Sequence, residues 1–166
     1  MQITGISMAK IDYTKLAISI IVCQVAGLIG SLVTFNSITT WYETLNKPIF
    51  APPNWFFGPV WITLYFLMGI SLYLVWSKGL DDRSVKIGIA LFAIQLFLNA
   101  IWSPIFFGLH ALQLSFNVII IMWLFIMLTI VRFHSISKPA SYLLIPYIGW
   151  VTIAAALNYF IWTMNV

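Results

Sequence analysis

Five long apolar stretches alternate with short polar segments along the chain. The stretches cover residues 16–35, 56–77, 86–106, 111–131 and 140–162. Each has the length of about 20 residues that an α-helix needs to cross the hydrocarbon core of a bilayer. Backbone amides in lipid must be paired within their own segment, so the pattern predicts helices. We therefore expect one all-α membrane domain over residues 1–166, built as a bundle of five transmembrane helices.

Composition agrees with this interpretation. The chain is 62% hydrophobic and 7% charged, whereas about 25% of the residues in a soluble domain are charged. A β-barrel would need short alternating segments, which the sequence lacks. The stretch after Lys15 is too long for a cleavable signal peptide, so we expect the first helix to be an uncleaved anchor. The single cysteine, Cys23, excludes an intramolecular disulfide.

The basic residues predict an orientation. With five spans, one side of the membrane carries Lys10, Lys15, Lys78, Arg83, Lys86, Arg132 and Lys138, and the other carries Lys47. By the positive-inside rule, the N-terminus should be cytoplasmic, with the first loop and the C-terminus outside a cell membrane that we expect to be bacterial. The basic residues are scattered over short loops and form no continuous stripe, so no nucleic-acid partner is expected.

The predicted spans lack ionisable groups, apart from Lys86 at one end. Pumps and ion-coupled carriers place such groups inside the membrane, so both functions are disfavoured. The carboxylates of the chain are Asp12, Glu43, Asp81 and Asp82, and only Glu43 is predicted on the outer side. The two histidines, His110 and His134, fall on opposite sides, so no metal site is expected.

The first loop is rich in proline and aromatic residues, as the sequence KPIFAPPNWFF shows. Pro48, Pro52 and Pro53 should keep this loop in an extended or turning path. Pro59 is predicted in the first turn of the second helix, where a missing N–H leaves no carbonyl unpaired. A stiff loop of this kind would lose little entropy on ordering.

Polar and aromatic residues repeat at helical spacing on three of the predicted helices. The faces comprise Trp61, Tyr65, Met68 and Leu72 on the second, Gln95, Asn99, Trp102, Ser103 and Phe106 on the third, and Pro146, Trp150, Ala154 and Leu157 on the fifth. One interpretation is ordinary helix packing, with amides bonded across helices. The other is an aromatic box for a flat hydrophobic molecule. Asn99 favours the second, because a buried amide needs several hydrogen-bond partners.

Three segments resemble the TspO/MBR family of tryptophan-rich sensory and translocator proteins. They read WYETLNKPIFAPPNWFFGPVWITLYFLMGISLYLVW, LFLNAIWSPIFFGLHAL and PYIGWVTIAAALNYFIW. The resemblance extends from the region of Gly27 and Gly30 to Trp162. It implies a five-helix bundle whose Pro/Trp-rich first loop covers a ligand pocket. It also implies binding of porphyrins and related tetrapyrroles, of isoquinoline- or benzodiazepine-type drugs and, in animal members, of cholesterol.

The resemblance assigns pocket positions residue by residue. They are Trp41, Tyr42, Pro52, Pro53, Trp61, Asn99, Trp102, Ser103, Pro146, Trp150, Ala154 and Leu157, and helical spacing adds Tyr65. Trp61 and Asn99 would hydrogen-bond a ligand carbonyl, while the other aromatics would stack. Lys47 could meet a porphyrin propionate or lie among lipid headgroups. No cofactor is required, and the porphyrin would be the ligand.

Three functions fit these features. The first is a tetrapyrrole-binding receptor or sensor. The second, known from some family members, is an enzyme for light- and oxygen-dependent porphyrin breakdown, which would use Trp41, Trp61 and Trp150. The third is a passive carrier, although no oppositely oriented repeats suggest it.

Two further predictions concern cholesterol and a second copy of the chain as partners. The sterol motif is incomplete, because Leu157 and Tyr159 are present but no basic residue follows them, so specific cholesterol recognition is not expected. A homodimer is expected from the family. The small-residue pairs Ala26/Gly30 and Gly27/Ser31 on the first helix would permit close approach of another helix.

Overall fold

The computed structural model describes residues 11–166 as a bundle of helices. The α-helices are α1 (Tyr13–Ile38), α2 (Trp41–Thr44), α3 (Asn54–Trp76), α4 (Arg83–Ser103), α5 (Leu112–Ile136), α6 (Lys138–Leu143) and α7 (Ile145–Met164), and a π-helical turn (Pro104–Gly108) extends α4. Five helical segments are long and apolar enough to cross a membrane, when α4 is counted with its π turn and α6 with α7. The predicted all-α five-helix fold is confirmed.

Prolines account for the irregular helix ends. Pro104 has no N–H to give to the carbonyl of Ala100, and the chain continues as a π turn in which Leu109 N–H donates to Pro104 O at 2.9 Å. Pro146 lies in the first turn of α7, after the break from α6 at Leu144. The prediction for Pro59 was wrong. Helix α3 begins at Asn54, so Pro59 lies inside the helix, beyond its first turn.

The helix order around the bundle follows from a few close contacts. Helix α1 packs on α3 and α4, and α5 packs on α4 and α7. Near one end, α1 and α3 approach so closely that a Cβ on Gly69 would lie 2.7 Å from the Cα of Ile20. Ser71 Oγ donates to Ala140 O at 2.7 Å and joins α3 to α6 at the same end. Glycine and serine at these positions therefore hold α3 against its neighbours.

One half of the bundle is tightly filled. Between α4 and α5, the rings of Phe92 and Phe133 stack with centroids 5.8 Å apart, and both side chains are buried. Ile119, Met122 and Ile126 of α5 are also buried. This region is called the packed half below.

Apart from Lys47, the lysines and arginines of residues 11–166 gather at the end opposite the first loop. Lys15 lies 5.9 Å from the ring centroid of Trp76, and Arg132 Nε donates to Ser84 O at 3.4 Å. Lys78 and Lys138 belong to the loop and the helix start at this end. Lys10, which contributed to the predicted charge bias, lies outside the described residues.

The loop over residues 39–53, called the cap loop here, is fixed to the other end of the bundle. Trp41 stacks on His110 with centroids 3.9 Å apart. Tyr42 is 2% exposed and packs against Phe106 and Phe107. The backbone of Asn46 exchanges two 2.9 Å hydrogen bonds with the side chain of Asn165, after α7. The cap loop is therefore held by contacts with three separate parts of the chain.

Candidate functional site: a cavity beneath the cap loop

A cavity of about 760 Å³ lies among α1, α3, α4 and α7, next to the cap loop. Its wall is mostly apolar and aromatic. The lining residues are Gln24, Gly27, Leu28, Gly30, Ser31, Thr34, Phe35 and Ile38 of α1; Thr39 and Glu43 of the cap loop; Asn54, Trp55, Phe57, Gly58, Trp61, Ile62 and Tyr65 of α3; Asn99, Trp102 and Ser103 of α4; Phe107 of the π turn; and Trp150 and Ala154 of α7. Its size and lining are those of a small-molecule site.

A chain of buried hydrogen bonds fixes the inner wall. The Tyr65 hydroxyl donates to Asn99 Oδ1, and Asn99 Nδ2 donates to the Tyr147 hydroxyl at 2.9 Å. The Tyr147 hydroxyl in turn donates to Gln95 Oε1 at 2.8 Å. Three helices are thereby joined through side chains that are all buried. These hydrogen bonds hold the four side chains in place across the helices, and one atom of the chain, Gln95 Nε2, is buried without a partner among residues 11–166.

Three of the four indoles that line the cavity differ in their contacts. Trp102 Nε1 donates to Asn158 Oδ1 at 3.2 Å. Trp61 stacks on Tyr65 with centroids 5.5 Å apart. The Trp150 Nε1 atom is buried and has no hydrogen-bond partner among residues 11–166. A buried N–H without a partner costs free energy, and because this atom has almost no accessible surface, a ligand acceptor would reach it only if neighbouring side chains moved.

Helix α1 provides the wall that faces these aromatics, and it does so with small residues. A Cβ on Gly27 would collide with the ring of Tyr65, and one on Gly30 would lie 3.2 Å from Ser103 Oγ. Small side chains in this stretch thus let α1 approach α3 and α4 inside one chain. The spacing of the same small residues is also compatible with a dimer contact. The homodimer itself stays a prediction.

The cavity opens sideways between α1 and α3. Leu28 and Phe35 of α1, with Trp55 and Ile62 of α3, line it and are also exposed on the outside of the bundle, by 61% to 81%. Gln24 Nε2 donates to Ile62 O at 3.2 Å across the two helices. The opening therefore faces the region that lipid chains would occupy.

Most of the chain is similar in sequence to known proteins. A sequence profile of the TspO/MBR family matches residues 19–163. The chain is 46% identical over 152 residues to the tryptophan-rich protein TspO of Archaeoglobus fulgidus, which covers 91% of this chain and 97% of that protein. It is 38% identical over 152 residues to protein CrtK of Rhodobacter capsulatus, which covers 92% and 93%. It is 36% identical over 139 residues to the human translocator protein, which covers 82% of each.

The chain belongs to the TspO/MBR family. It is thus a multi-pass integral membrane protein of a family that includes sensory and translocator proteins. The resemblance found in the sequence is confirmed. The residues that match the family profile include both the cap loop and the cavity-lining helices.

The structure brings together about half of the predicted site residues. Those that line the cavity are Trp61, Tyr65, Asn99, Trp102, Ser103, Trp150 and Ala154. The cap loop also meets the cavity, through Thr39 and Glu43 rather than through its predicted residues. Whether these side chains contact a ligand stays a prediction.

The remaining predicted site residues lie elsewhere. Trp41 stacks on His110, and Pro146 is exposed at the start of α7. Tyr42 and Leu157 line a separate space of about 20 Å³ beside Trp102, which is large enough for one water molecule. Pro52 and Pro53 lead into α3, where Pro53 is extended with φ −59° and ψ 145°. Apart from Pro146, these residues belong to the cap loop or pack beside it.

Charge is sparse at the cavity. Within the described part of the chain, the only ionised side chain that lines it is Glu43. Lys47 does not line it: its Nζ donates to Tyr42 O at 3.1 Å and lies 4.6 Å from the Tyr42 ring centroid. No group of three metal-binding side chains is found among residues 11–166.

Proposed function

We propose that the protein is a membrane receptor or sensor that binds porphyrin-type tetrapyrroles, or other flat hydrophobic molecules, in the cavity beneath the cap loop. The observation that carries the proposal is the aromatic wall around an interior of about 760 Å³. Ligand pockets commonly have volumes of about 300–1,000 Å³ and few polar groups. Trp61, Trp102 and Trp150 supply flat faces against which a conjugated ring could stack.

The polar groups of the wall support a ligand that carries a carbonyl or another acceptor. The Trp150 N–H has no partner in the described chain, and Asn99 Nδ2 donates one of its two hydrogens to Tyr147. A ligand acceptor near both atoms would remove the cost of leaving them unpaired. Isoquinoline- and benzodiazepine-type molecules, which are flat and carry acceptors, would fit the same requirement.

Binding can be measured in the dark, by titrating protoporphyrin into the purified protein in lipid nanodiscs. We expect saturable changes in porphyrin absorbance and in tryptophan fluorescence. Trp150→Phe should weaken binding by about three- to tenfold, because a stacking face shrinks and a donor is lost. Trp123→Phe is the control, since Trp123 bonds Thr152 and does not line the cavity. No saturable binding to the unmodified protein would contradict the proposal.

A second candidate function is light- and oxygen-dependent breakdown of the bound porphyrin. It is favoured by one observation: two of the three tryptophans assigned to this chemistry, Trp61 and Trp150, line the cavity. An excited porphyrin, with oxygen as the oxidant, would lie against oxidisable indoles. Loss of porphyrin absorbance should then require both light and oxygen, and should slow in Trp61→Phe and Trp150→Phe. Trp41→Phe, outside the cavity, should behave like the unmodified protein, and turnover in the dark would contradict this mechanism.

The orientation in the membrane is also a proposal: N-terminus cytoplasmic and cap loop outside. It rests on the basic residues, most of which lie at the end opposite the cap loop. Ile49 is fully exposed in the cap loop, and Asp81 is exposed between α3 and α4. On a Cys23→Ala background, Ile49→Cys should react with an impermeant thiol reagent in intact cells and Asp81→Cys should not. The reverse pattern would contradict the orientation.

A further inference from the structure

The rim of the cavity at the cap loop, called its mouth here, is acidic, and its carboxylate has no counter-ion among residues 11–166. Glu43 lines the cavity from the cap loop and is exposed at its edge. Among residues 11–166 its carboxylate forms no ion pair. The base closest in sequence, Lys47, is engaged with the carbonyl and ring of Tyr42. A ligand that reaches the mouth therefore meets a negative charge.

The position of this carboxylate is fixed by the elements around it. Asn54, at the start of α3, donates through Nδ2 to both Ile38 O and Glu43 Oε1, each at 3.3 Å. The short helix that carries Glu43 is anchored by its neighbour Tyr42, which is almost fully buried. One carboxylate oxygen is thus held by Asn54. In the described structure, the other oxygen has no hydrogen-bond donor.

The interior has the opposite polarity. Trp150 Nε1 is a buried donor without a partner in the described structure. Inside, the wall supplies N–H donors, the Asn99 amide and the covered Trp150 indole, and the rim at the cap loop supplies the acceptor Glu43. A molecule that spans both would be matched if it placed an acceptor inside and a hydrogen-bond donor or a positive charge at Glu43.

We propose that Glu43 determines the charge selectivity of the cavity and disfavours ligands that bring a carboxylate to the mouth. The inference rests on the proposed function, namely that the cavity binds flat hydrophobic ligands. Such ligands should differ in affinity according to the charge that they bring to Glu43. Cationic or N–H-bearing molecules are favoured, neutral ones are tolerated, and dianionic porphyrins bind less tightly than their neutral esters.

The test uses three porphyrins with the same ring: protoporphyrin with two carboxylates, its neutral dimethyl ester, and a cationic derivative whose carboxyls are converted to aminoalkyl amides. Each is titrated in the dark into the full-length protein in nanodiscs of zwitterionic lipid, at low and at high salt. The variant is Glu43→Gln, which keeps an oxygen for Asn54 and removes the charge. The control is Asp81→Asn, which makes the same change in net charge at the opposite end of the bundle.

Glu43→Gln should raise the affinity for the dicarboxylate and lower that for the cationic derivative, each by about two- to fivefold, the scale of one partly exposed ion pair. Both effects should shrink at high salt, and the ester should bind equally well to both proteins. An unchanged dicarboxylate affinity, or an equal change in Asp81→Asn, would overturn the assignment to Glu43 while leaving the cavity as a porphyrin site. Failure of all three porphyrins to bind the unmodified protein would instead overturn the proposed function, and this inference with it.

Discussion

The two halves of the bundle use aromatic residues in different ways. In the packed half, Phe92 and Phe133 stack on each other and their faces are covered by neighbouring side chains. In the half formed by α1, α3 and α7, called the open half here, Tyr65 is held through its hydroxyl, and the rings of Trp61 and Trp150 line the cavity. Where side chains are free to move, they fill empty space, and the interior becomes closely packed. An open interior therefore needs rings that are held in place: a hydrogen bond holds Tyr65, and Trp61 stacks on it.

The largest expected difference between the halves concerns stability. Phe133→Ala should lower the free energy of unfolding by about 3–5 kcal/mol, because it leaves a hole in a fully buried contact. Porphyrin affinity of the folded fraction should change little, since Phe133 does not line the cavity. Unfolding in mixed detergent micelles, followed by circular dichroism, measures the first effect. A loss below about 1 kcal/mol would show that this half is not tightly packed.

A smaller effect is expected where α1 meets the aromatic wall. Gly27→Ala should lower the free energy of unfolding by about 2 kcal/mol and weaken porphyrin binding, because the new Cβ displaces the Tyr65 ring. Gly149→Ala is the matched control, since its Cβ would meet nothing within 4 Å. Equal stability and affinity in the two variants would contradict the close approach of α1 to Tyr65.

Much of this fold was predictable from the sequence, because a membrane imposes one strong pattern. The apolar stretches alone located all five spans, with ends shifted by a few residues where Asn54 or Ile136 extended a helix. The face of α4 with Asn99, Trp102 and Ser103 was also found, since three-dimensional neighbours on one helix follow from spacing.

The contribution of α1 to the site was not predictable in the same way. Gly27 and Gly30 give one signal, small residues at helical spacing, which fits a contact within the chain as well as one between chains. Tyr147 was missed because its role depends on Asn99 of another helix. Trp41 was assigned to the pocket with the other aromatics, yet it stacks on His110. Residue type gave no means of separating a ring that lines a cavity from one that anchors a loop.

An intermediate effect on stability is expected from the hydrogen-bond chain of Tyr65, Asn99, Tyr147 and Gln95. Asn99→Ala removes the acceptor of the buried Tyr65 hydroxyl and one of the two amide partners of the Tyr147 hydroxyl. The free energy of unfolding should fall by about 1–2 kcal/mol, as for a buried interhelical hydrogen bond in a membrane. Porphyrin affinity should fall as well, because the wall loses a fixed donor. Ser115→Ala, a buried serine that does not line the cavity, tests whether affinity responds to any polar deletion.

The smallest effect concerns the cap loop and appears only at high pH. Burial raises the pKa of the Tyr42 phenol to about 12, against about 10 in an unfolded chain. Ionisation above pH 10 thus favours the unfolded state, so Tyr42 lowers stability as the pH rises from about 10 to about 12. At pH 11 the unmodified protein should lose about 1 kcal/mol relative to Tyr42→Phe, compared with pH 8. The same difference at both pH values would show that the phenol is not buried.

The central claim is that the open half of the bundle is the ligand site, and a structure of the protein bound to protoporphyrin in the dark tests it most directly. We predict density for the ring in the cavity between α1, α3, α4 and α7, against Trp150 and beneath Glu43. Asn99 should keep its bond to Tyr147. Density for the porphyrin on the outer face of α5, or anywhere else outside the cavity while the cavity stays empty, would contradict the claim.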